Sequence, residues 1–558
     1  MCKLGVIFTD TAVLADKYNC RRHEVIDVIN NYIDGCRDHG IDWQLVDVGG
    51  HDFDYIFNED VSWQGYCRAL ADNCAGMGWQ TDSNTPLLII GGDDVIPVPI
   101  VLFQEPGVRE LTPLQADTLF CYPPGFDIHQ ELARFHENGY NKGELYEYFI
   151  SRAVFNVSRL PLENGDVEFN FQHDLGGYLK RSMDSSGTIT VNNMLPVSAF
   201  QWYFSTQKTV EYVPLLPLGP NNGCHMGDIF VSPLLRIDNH NTDNTAMAEY
   251  ISALGKADML MFNLHGSNHP EITGFIGEGN VPIGTDENNE PIFEHPLAFD
   301  ISLLPRCNAR ILNTEACFGA RYINYPRWQS MLLSSLYNGG VLLYVGSCVS
   351  SCFDQPILSP DVDVSSLRLT NQADRWISYY LDQQMQGVPA GLAMLKSKWL
   401  YYDEIGHEKD WRTPLTLLEF NQFGDPTLTV RAPRYNRIHA QQSTKSIFHR
   451  GTEKVMPFKE KFVPIYSNTV LPGLDAAYAD VRKSVDIAFM TLSEDLRRML
   501  ADDYHYPSKH LYLSSIMREE SSGGFLYVYA HMGYSDSERT VYVRVDSDGK
   551  VKKITYRM

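Results

Sequence analysis

The spacing of apolar positions switches several times along the chain. LGVIFTD (4–10) is a short unbroken apolar run, as in a buried strand, and AVLADKYNCRRHEVIDVINNYIDGCRDHG (12–40) then carries apolar residues at helical spacing up to Gly40. WQLVDVGG (43–50) and PLLIIGGDD (86–94) are two more runs, separated by a helix-like stretch around 60–77. Strand and helix in alternation predict an α/β unit built on a parallel sheet. VFNVSRLPLENGD (154–166) adds a strand and a turn, DVEFNFQHDLGGYLKRSM (166–183) reads as a helix, and NNMLPVSAF (192–200) begins a second alternation.

In that second part, TDNTAMAEYISALGKADMLMFNLHG (242–266) predicts a helix capped by Asp243 or Asn244, a turn at Gly255 and a strand from Ala257 to Leu264. CNARILNTEACFGA (307–320) supplies a strand over 309–315 ending at Ala316-Cys317. PRWQSMLLSSLYNGG (326–340) reads as a helix with Pro326 near its first position and a stop at Gly339, and VLLYVGS (341–347) as a third strand. Past FNQFGDPTLTVRAP (420–433) the composition becomes polar and basic without period. The tail shows two helical stretches within 473–502, then the strands GFLYVYAHM, RTVYVRV and VKKITYRM, the last two joined by DSDGK. We place an N-terminal α/β subdomain at 1–168, a second α/β subdomain at 169–430, a linker or exposed loop at 431–460 and a small α+β appendage at 461–558.

Charge narrows the functional classes. A formal net charge of -23, with Lys and Arg scattered rather than clustered, opposes a phosphate backbone, so no nucleic-acid partner is expected. Nowhere do 18 consecutive apolar residues occur, so no membrane span is expected. The opening MCKLGVIFTD reads as a first strand rather than a secretory signal. Eleven cysteines at irregular spacing fit reduced thiols in a cytoplasm better than a disulfide framework. The closest pair, Cys348 and Cys352, lacks the second pair that a zinc ribbon needs.

Candidate chemistry collects at two strand ends. His265 directly follows one apolar strand and Cys317 the next, which sets both at the C-terminal edge of a parallel sheet, where the sites of open α/β folds gather. A thiol becomes a nucleophile when a neutral imidazole can take its proton. Gly266 lets its backbone N–H approach a substrate carbonyl, and the N–H of Cys317 can join it as an oxyanion hole. Ala316 keeps the thiol reachable, and Gly319 permits a sharp turn out of the strand. Singly, a buried cysteine or a loop histidine is ordinary; paired at adjacent strand ends beside small residues, the catalytic reading prevails.

NLHGS and NTEACFGA resemble the His-Gly and Ala-Cys-x-Gly motifs of the caspase-like cysteine peptidases (clan CD), which include caspases, legumain, clostripain and gingipains. The chain is most similar to the gingipain family: PLLIIGGDDVIPVP, VFNVSRLPLENGD, LHGS, EACFGA, VLLYVGS and FNQFGDPTLTV resemble its landmarks in order over about 1–430. The resemblance implies a caspase-like α/β unit of two side-by-side subdomains with mainly parallel sheets. It implies Cys317 as nucleophile, His265 as general acid/base, and Gly266 and Cys317 as oxyanion-hole donors, acting on a protein or peptide substrate without a cofactor. The 52 residues from His265 to Cys317 imply a long loop over the site.

The chain departs from the family in two ways. Gingipains carry a signal and a pro-segment, and the start of this chain reads as neither. Their histidine is oriented by an acid at the end of the strand matching NNMLPVSAFQW, where this chain has Phe200 and Gln201, so the orienting role stays blank. For substrate binding, Glu211 in TQKTVEYV, Asp354 in SCFDQP and Ser347 at the end of VLLYVGS are the candidates, and cleavage after a basic residue is the family-level expectation.

Other features carry less. His265, His269 and Glu271 could suggest a metal, but Gly, Ser, Asn and Pro between them oppose the helix that an i, i+4 pair needs, so no metal is expected. GGDD (91–94) lacks both phosphate-loop and EF-hand spacing and reads as a strand exit. Arg431, Arg434, Arg437 and Arg450 mark the linker as the place for self-cleavage. A protease in a cytoplasm needs a switch, for which an activating protein partner docking on the C-terminal appendage is one form. The rival reading is a catalytically silent scaffold that binds partner proteins.

Overall fold

The computed structural model describes residues 3–49, 62–104, 111–139, 142–162, 171–218, 224–232, 235, 245–269, 272–278, 282–285, 291–293, 295–351, 353–354, 372–405, 412–435, 462–467, 511–519, 525–532, 537–545 and 551–557. An eleven-stranded sheet runs through the main body. Its order is Ile41–Asp47, Lys3–Thr9, Pro86–Ile90, Asn156–Leu160, Phe420–Gly424, Leu343–Ser347, Ile311–Thr314, Met259–Asn263, Met194–Ala199, Ile229–Ser232 and His225–Met226. All neighbours are parallel except Phe420–Gly424 against Leu343–Ser347 and the last edge pair. The fold is therefore α/β with a mainly parallel sheet, as expected.

That single antiparallel junction divides the sheet into two halves whose strands point opposite ways. Phe420–Gly424, late in the chain, lies parallel to the early strand Asn156–Leu160 and so seams the halves together. Both faces are covered, which is why Pro86–Ile90, Asn156–Leu160, Met259–Asn263, Ile311–Thr314 and Leu343–Ser347 are buried at every position, polar Asn156, Ser158, Arg159 and Asn313 included. One layer holds Arg22–Arg37, Gly177–Asp184 and Met331–Tyr337; the other holds Lys142–Arg152, Tyr203–Thr209, Gln372–Met385, Ala390–Ile405 and Arg412–Glu419.

Polar anchors pin the seam. Gly424 has φ +107°, and a Cβ there would meet the Leu342 carbonyl oxygen at 2.1 Å. Asp425, next in the GDP turn, accepts from Tyr32 Oη and Ser182 Oγ, both at 2.5 Å, tying two helices of one layer to the sheet centre. Arg159 is fully buried and forks onto Asp117 at 2.8 and 2.7 Å while donating to the carbonyls of Gly91 and Ile96. Gly91, with φ +127°, begins the GGDD segment as a strand exit in which Asp93 accepts from the Val98 N–H.

Several boundaries differ from the sequence expectation. Pro326 does not open the α-helix: Arg327–Gln329 forms one 3₁₀ turn, and the helix Met331–Tyr337 starts at Ser330, whose Oγ accepts from the Leu333 N–H. The stretch between His265 and Cys317 is built of two antiparallel pairings, Gly274–Ile276 with Leu297–Asp300 and Pro282–Thr285 with Pro291–Phe293. Among the described residues the tail contains five antiparallel strands, Phe462–Ser467, Leu511–Glu519, Phe525–Met532, Ser537–Val545 and Val551–Arg557. Phe353–Asp354, from the main body, adds to this tail sheet parallel to Ser537–Glu538. The expected helices within 473–502, the caps Asp243 and Asn244, and residues 436–460 of the linker, with Arg437 and Arg450, lie outside the described residues, whereas Arg431 at the linker's start ends the strand Thr429–Arg431. Among the described residues, no helix is long and apolar enough to cross a membrane.

Candidate active site

Sheet register brings the two chemical residues level. The same 52-residue offset separates Met259 from Ile311 and Phe262 from Thr314, which are paired across neighbouring parallel strands, and His265 from Cys317 just beyond them. The Glu315 N–H to Phe262 O bond of 3.0 Å carries the ladder one step past the last pair. Gly266 then lies flat against the Cys317 backbone: a Cβ on it would sit 1.6 Å from the Cys317 carbonyl oxygen and 3.3 Å from its nitrogen. Close backbone approach, rather than conformational freedom, is what demands glycine here.

The turn that presents Cys317 is laced to the loop after Leu343–Ser347. Phe318 N–H donates to Val349 O at 2.7 Å and Ala320 N–H to Ser347 O at 2.8 Å. The left-handed residue of this turn is Phe318, at φ +54°, and not Gly319; holding a bulky residue there costs about 1–3 kcal/mol. Gly319 instead supplies space, since a Cβ would lie 2.9 Å from both Ala316 O and Thr314 Cγ2. The thiol itself is buried, 3% exposed. It accepts from the Ser351 N–H at 3.2 Å, donates to Ser351 O at 3.7 Å, and has Ser350 Oγ at 3.7 Å.

His265 is held at its backbone and at one ring nitrogen. Its N–H donates to Ile276 O at 2.8 Å, and Ile276 N–H returns a bond of 2.9 Å to His265 O. Its Nε2 lies 2.7 Å from Glu278 Oε2, and the Trp202 ring packs on the imidazole with centroids 4.4 Å apart. A proton on Nε2, donated to that carboxylate, leaves Nδ1 with its lone pair. Glu278 is buried and fixed in turn, because its carbonyl accepts from Phe200 N–H at 3.3 Å and the preceding Gly277 N–H donates to Pro296 O at 2.8 Å.

The blank left by Phe200 and Gln201 is thus filled from another element. Gln201 still reaches the site, its Nε2 3.3 Å from His265 Nε2, but the carboxylate comes from Glu278, thirteen residues beyond the histidine on the returning hairpin. Sequence reasoning also passed over Ser350 and Ser351, whose polarity reads as loop composition until the strand register places them on Cys317. The segment leaving Gly266 is clamped by buried Arg321, whose Nη2 donates to His269 O at 3.0 Å and Ile272 O at 3.1 Å.

The expected substrate-binding residues fall in three different settings. Glu211 follows the helix Tyr203–Thr209, and its Oε2 takes a 2.6 Å bond from Lys208 Nζ, so its charge is answered locally. Ser347 is buried and turned into its own turn, donating to Val349 O and accepting from Val349 N–H. Asp354 lies in the short strand paired with the tail, and its side chain, like all of Glu271, lies outside the described residues. His269 is exposed at the rim. The group with metal-ligand spacing is a different one, His265, Glu278 and His295, whose ligand atoms lie within 4.8 Å of one another.

Two residues before Cys317 the chain carries a buried acid, Glu315, with Asp374 of the helix Gln372–Met385 buried near it. Asp374 accepts from Asn263 Nδ2 at 3.0 Å and from the Ser205 hydroxyl. Burial, and then the nearby Asp374 carboxylate, push the Glu315 carboxyl well above the ordinary carboxylate range.

No protein-family model matches the chain, and no curated protein matches it. Among solved structures, the complex of the pro- and mature domains of Porphyromonas gingivalis RgpB aligns at 9% identity over 99% of this chain and 99% of that one, with a TM-score of 0.44. A second, described as a protease, aligns at 10% identity over 99% of this chain and 96% of that one, also with a TM-score of 0.44. These likenesses are distant, and the reading of the site rests on its own residues.

Proposed function

We propose that the protein is a cysteine endopeptidase working through Cys317 and His265. The observation that carries this reading is the common level of the two residues just beyond adjacent strands, with Gly266 pressed against Cys317 and Glu278 on Nε2 of the imidazole. His265 Nδ1 takes the thiol proton, and Cys317 Sγ bonds to the scissile carbonyl carbon. The Gly266 N–H, which among the described residues meets no protein acceptor, and the Cys317 N–H receive the oxyanion. His265 returns its proton to the departing amine as the C–N bond breaks, leaving a thioester, and water then releases the acyl group.

The substrate is a protein or peptide, and cleavage follows a basic residue. Asp354 and Ser347 stand along the strand and loop that border the nucleophile; Glu211 is the weaker candidate because Lys208 already neutralises it. Activity is regulated and of limited range. The same loop that carries Ser350 and Ser351 onto the thiol continues into Phe353–Asp354 and from there into the tail sheet, so a partner docking on the appendage would be felt at Cys317. Among the described residues, Cys20, Cys36, Cys67, Cys74, Cys121, Cys307 and Cys348 carry free thiols.

Cleavage of a mixed peptide library by wild type and by Cys317→Ala tests the reading. Products that vanish in the variant, with basic residues before the cut, support it; products of equal yield from both proteins sink it.

A further inference from the structure

We propose that His265, Glu278 and His295 form a zinc site that silences the peptidase by occupying the catalytic histidine. The regulatory part rests on the role given to His265 above; the metal site itself does not.

Glu278 is buried, and its carboxylate faces two imidazoles: His265 Nε2 at 2.7 Å from Oε2 and His295 Nε2 at 4.0 Å from Oε1. Among the described residues no Lys or Arg pairs with it. A buried carboxylate without a Lys or Arg partner lacks the permanent cation that its desolvation calls for. Two imidazoles and one carboxylate are also the donor set that suits Zn²⁺ rather than Ca²⁺ or Mg²⁺. Tetrahedral zinc with bonds of about 2.0–2.1 Å sets neighbouring ligand atoms roughly 3.4 Å apart. The 2.7 Å and 4.0 Å separations bracket that spacing, so small side-chain rotations close the site. The backbone is already fixed on both sides, by the His265–Ile276 bridge and by Gly277 N–H on Pro296 O, next to His295. His295 is partly exposed, its side chain at 44%, which gives an ion a way in.

The consequence for catalysis follows from proton placement. Zinc on the Nε2 lone pair leaves a neutral imidazole with its proton on Nδ1, the nitrogen that must accept the proton of Cys317. Binding therefore moves the imidazole proton from Nε2 to Nδ1 and removes the base without touching the thiol.

The test uses the full chain stripped of metal. Zn²⁺ is titrated against a chromophoric chelator, Co²⁺ is followed by its visible d–d absorption, and peptidase activity is read at each Zn²⁺ level, for wild type and His295→Gln. Expected are one zinc per chain at this site, cobalt bands without a thiolate charge-transfer band, and inhibition reversed by chelation. In His295→Gln, metal-free activity persists while affinity and inhibition weaken about 100-fold, a ligand being worth at least as much as an outer-shell partner. Equal inhibition of both proteins, or a thiolate–cobalt band lost in Cys317→Ala, would place the ion on Cys317 and overturn the proposal. Activation by zinc would overturn it too. If no peptide is cut under any condition yet the cobalt spectrum is lost in His295→Gln and in Glu278→Gln, the metal site stands and the peptidase reading falls.

Discussion

Gly266 and Cys317 occupy one space: the position a Gly266 Cβ would take is 1.6 Å from the Cys317 carbonyl oxygen. Gly266→Ala must therefore push apart two central strands of the sheet. We expect a loss of at least about 1–3 kcal/mol of stability from overpacking and the disappearance of activity, since the oxyanion donors move with the strands. Thermal unfolding together with peptide turnover checks this. A stable, fully active Gly266→Ala protein would mean the two backbones are not in contact.

Glu278 acts through His265 rather than on substrate. Glu278→Gln keeps shape and a hydrogen-bonding group but no longer fixes the proton on Nε2, so kcat falls on the order of 10²–10⁴-fold with KM nearly unchanged. A merely structural role would lower stability and leave kcat per folded molecule alone. Steady-state kinetics beside a melting curve separates the two.

Glu315→Gln should stabilise the protein at pH 7. The folded-state pKa of Glu315 is raised by burial and by Asp374, so the wild type keeps this contribution below the unfolded value, about 4.3, and loses it as pH climbs toward the folded one. Removing the ionisable group removes that loss, worth at least about 1 kcal/mol at neutrality. Chemical denaturation of both proteins from pH 4 to 8 measures it; parallel curves would contradict the assignment.

Lys398 gives the opposite slope in a different window. Burial lowers its pKa to about 7, although Cys121, Glu419 and Asp117 pull the other way; its Nζ donates to Phe420 O at 2.7 Å. Between about pH 7 and pH 10 the unfolded chain binds the proton that the folded chain has released, so stability rises with pH, by up to about 1.4 kcal/mol per unit. In Lys398→Met this rise should flatten.

The strand–helix alternation was legible because buried parallel strands are short unbroken apolar runs, and PLLII and MLMFN are buried at every position. His265 and Cys317 were legible for the same reason: each ends such a run, and strand ends are where side chains leave the core. Their common level was not, because it depends on which strands pair. Glu278 was hidden further still. It lies in a turn-rich stretch whose return to His265 is decided by the pairing of Gly274–Ile276 with Leu297–Asp300 and not by local spacing. The seam strand Phe420–Gly424 falls in the landmark FNQFGDPTLTV, but its insertion between the halves is a long-range choice that composition does not carry. Phe318 took the left-handed position that Gly319 seemed made for, since the loop at Val349 and not intrinsic preference sets that turn.

The most direct test of the dyad is covalent capture. Wild type, Cys317→Ala and His265→Ala are incubated with acyloxymethyl ketone peptide probes of varied side chain, and the adduct is mapped by mass. The account predicts one adduct per chain on Cys317 with a probe bearing a basic residue, none in Cys317→Ala, and slowed labelling in His265→Ala. An adduct of equal yield in Cys317→Ala, or no adduct with any probe, would contradict it.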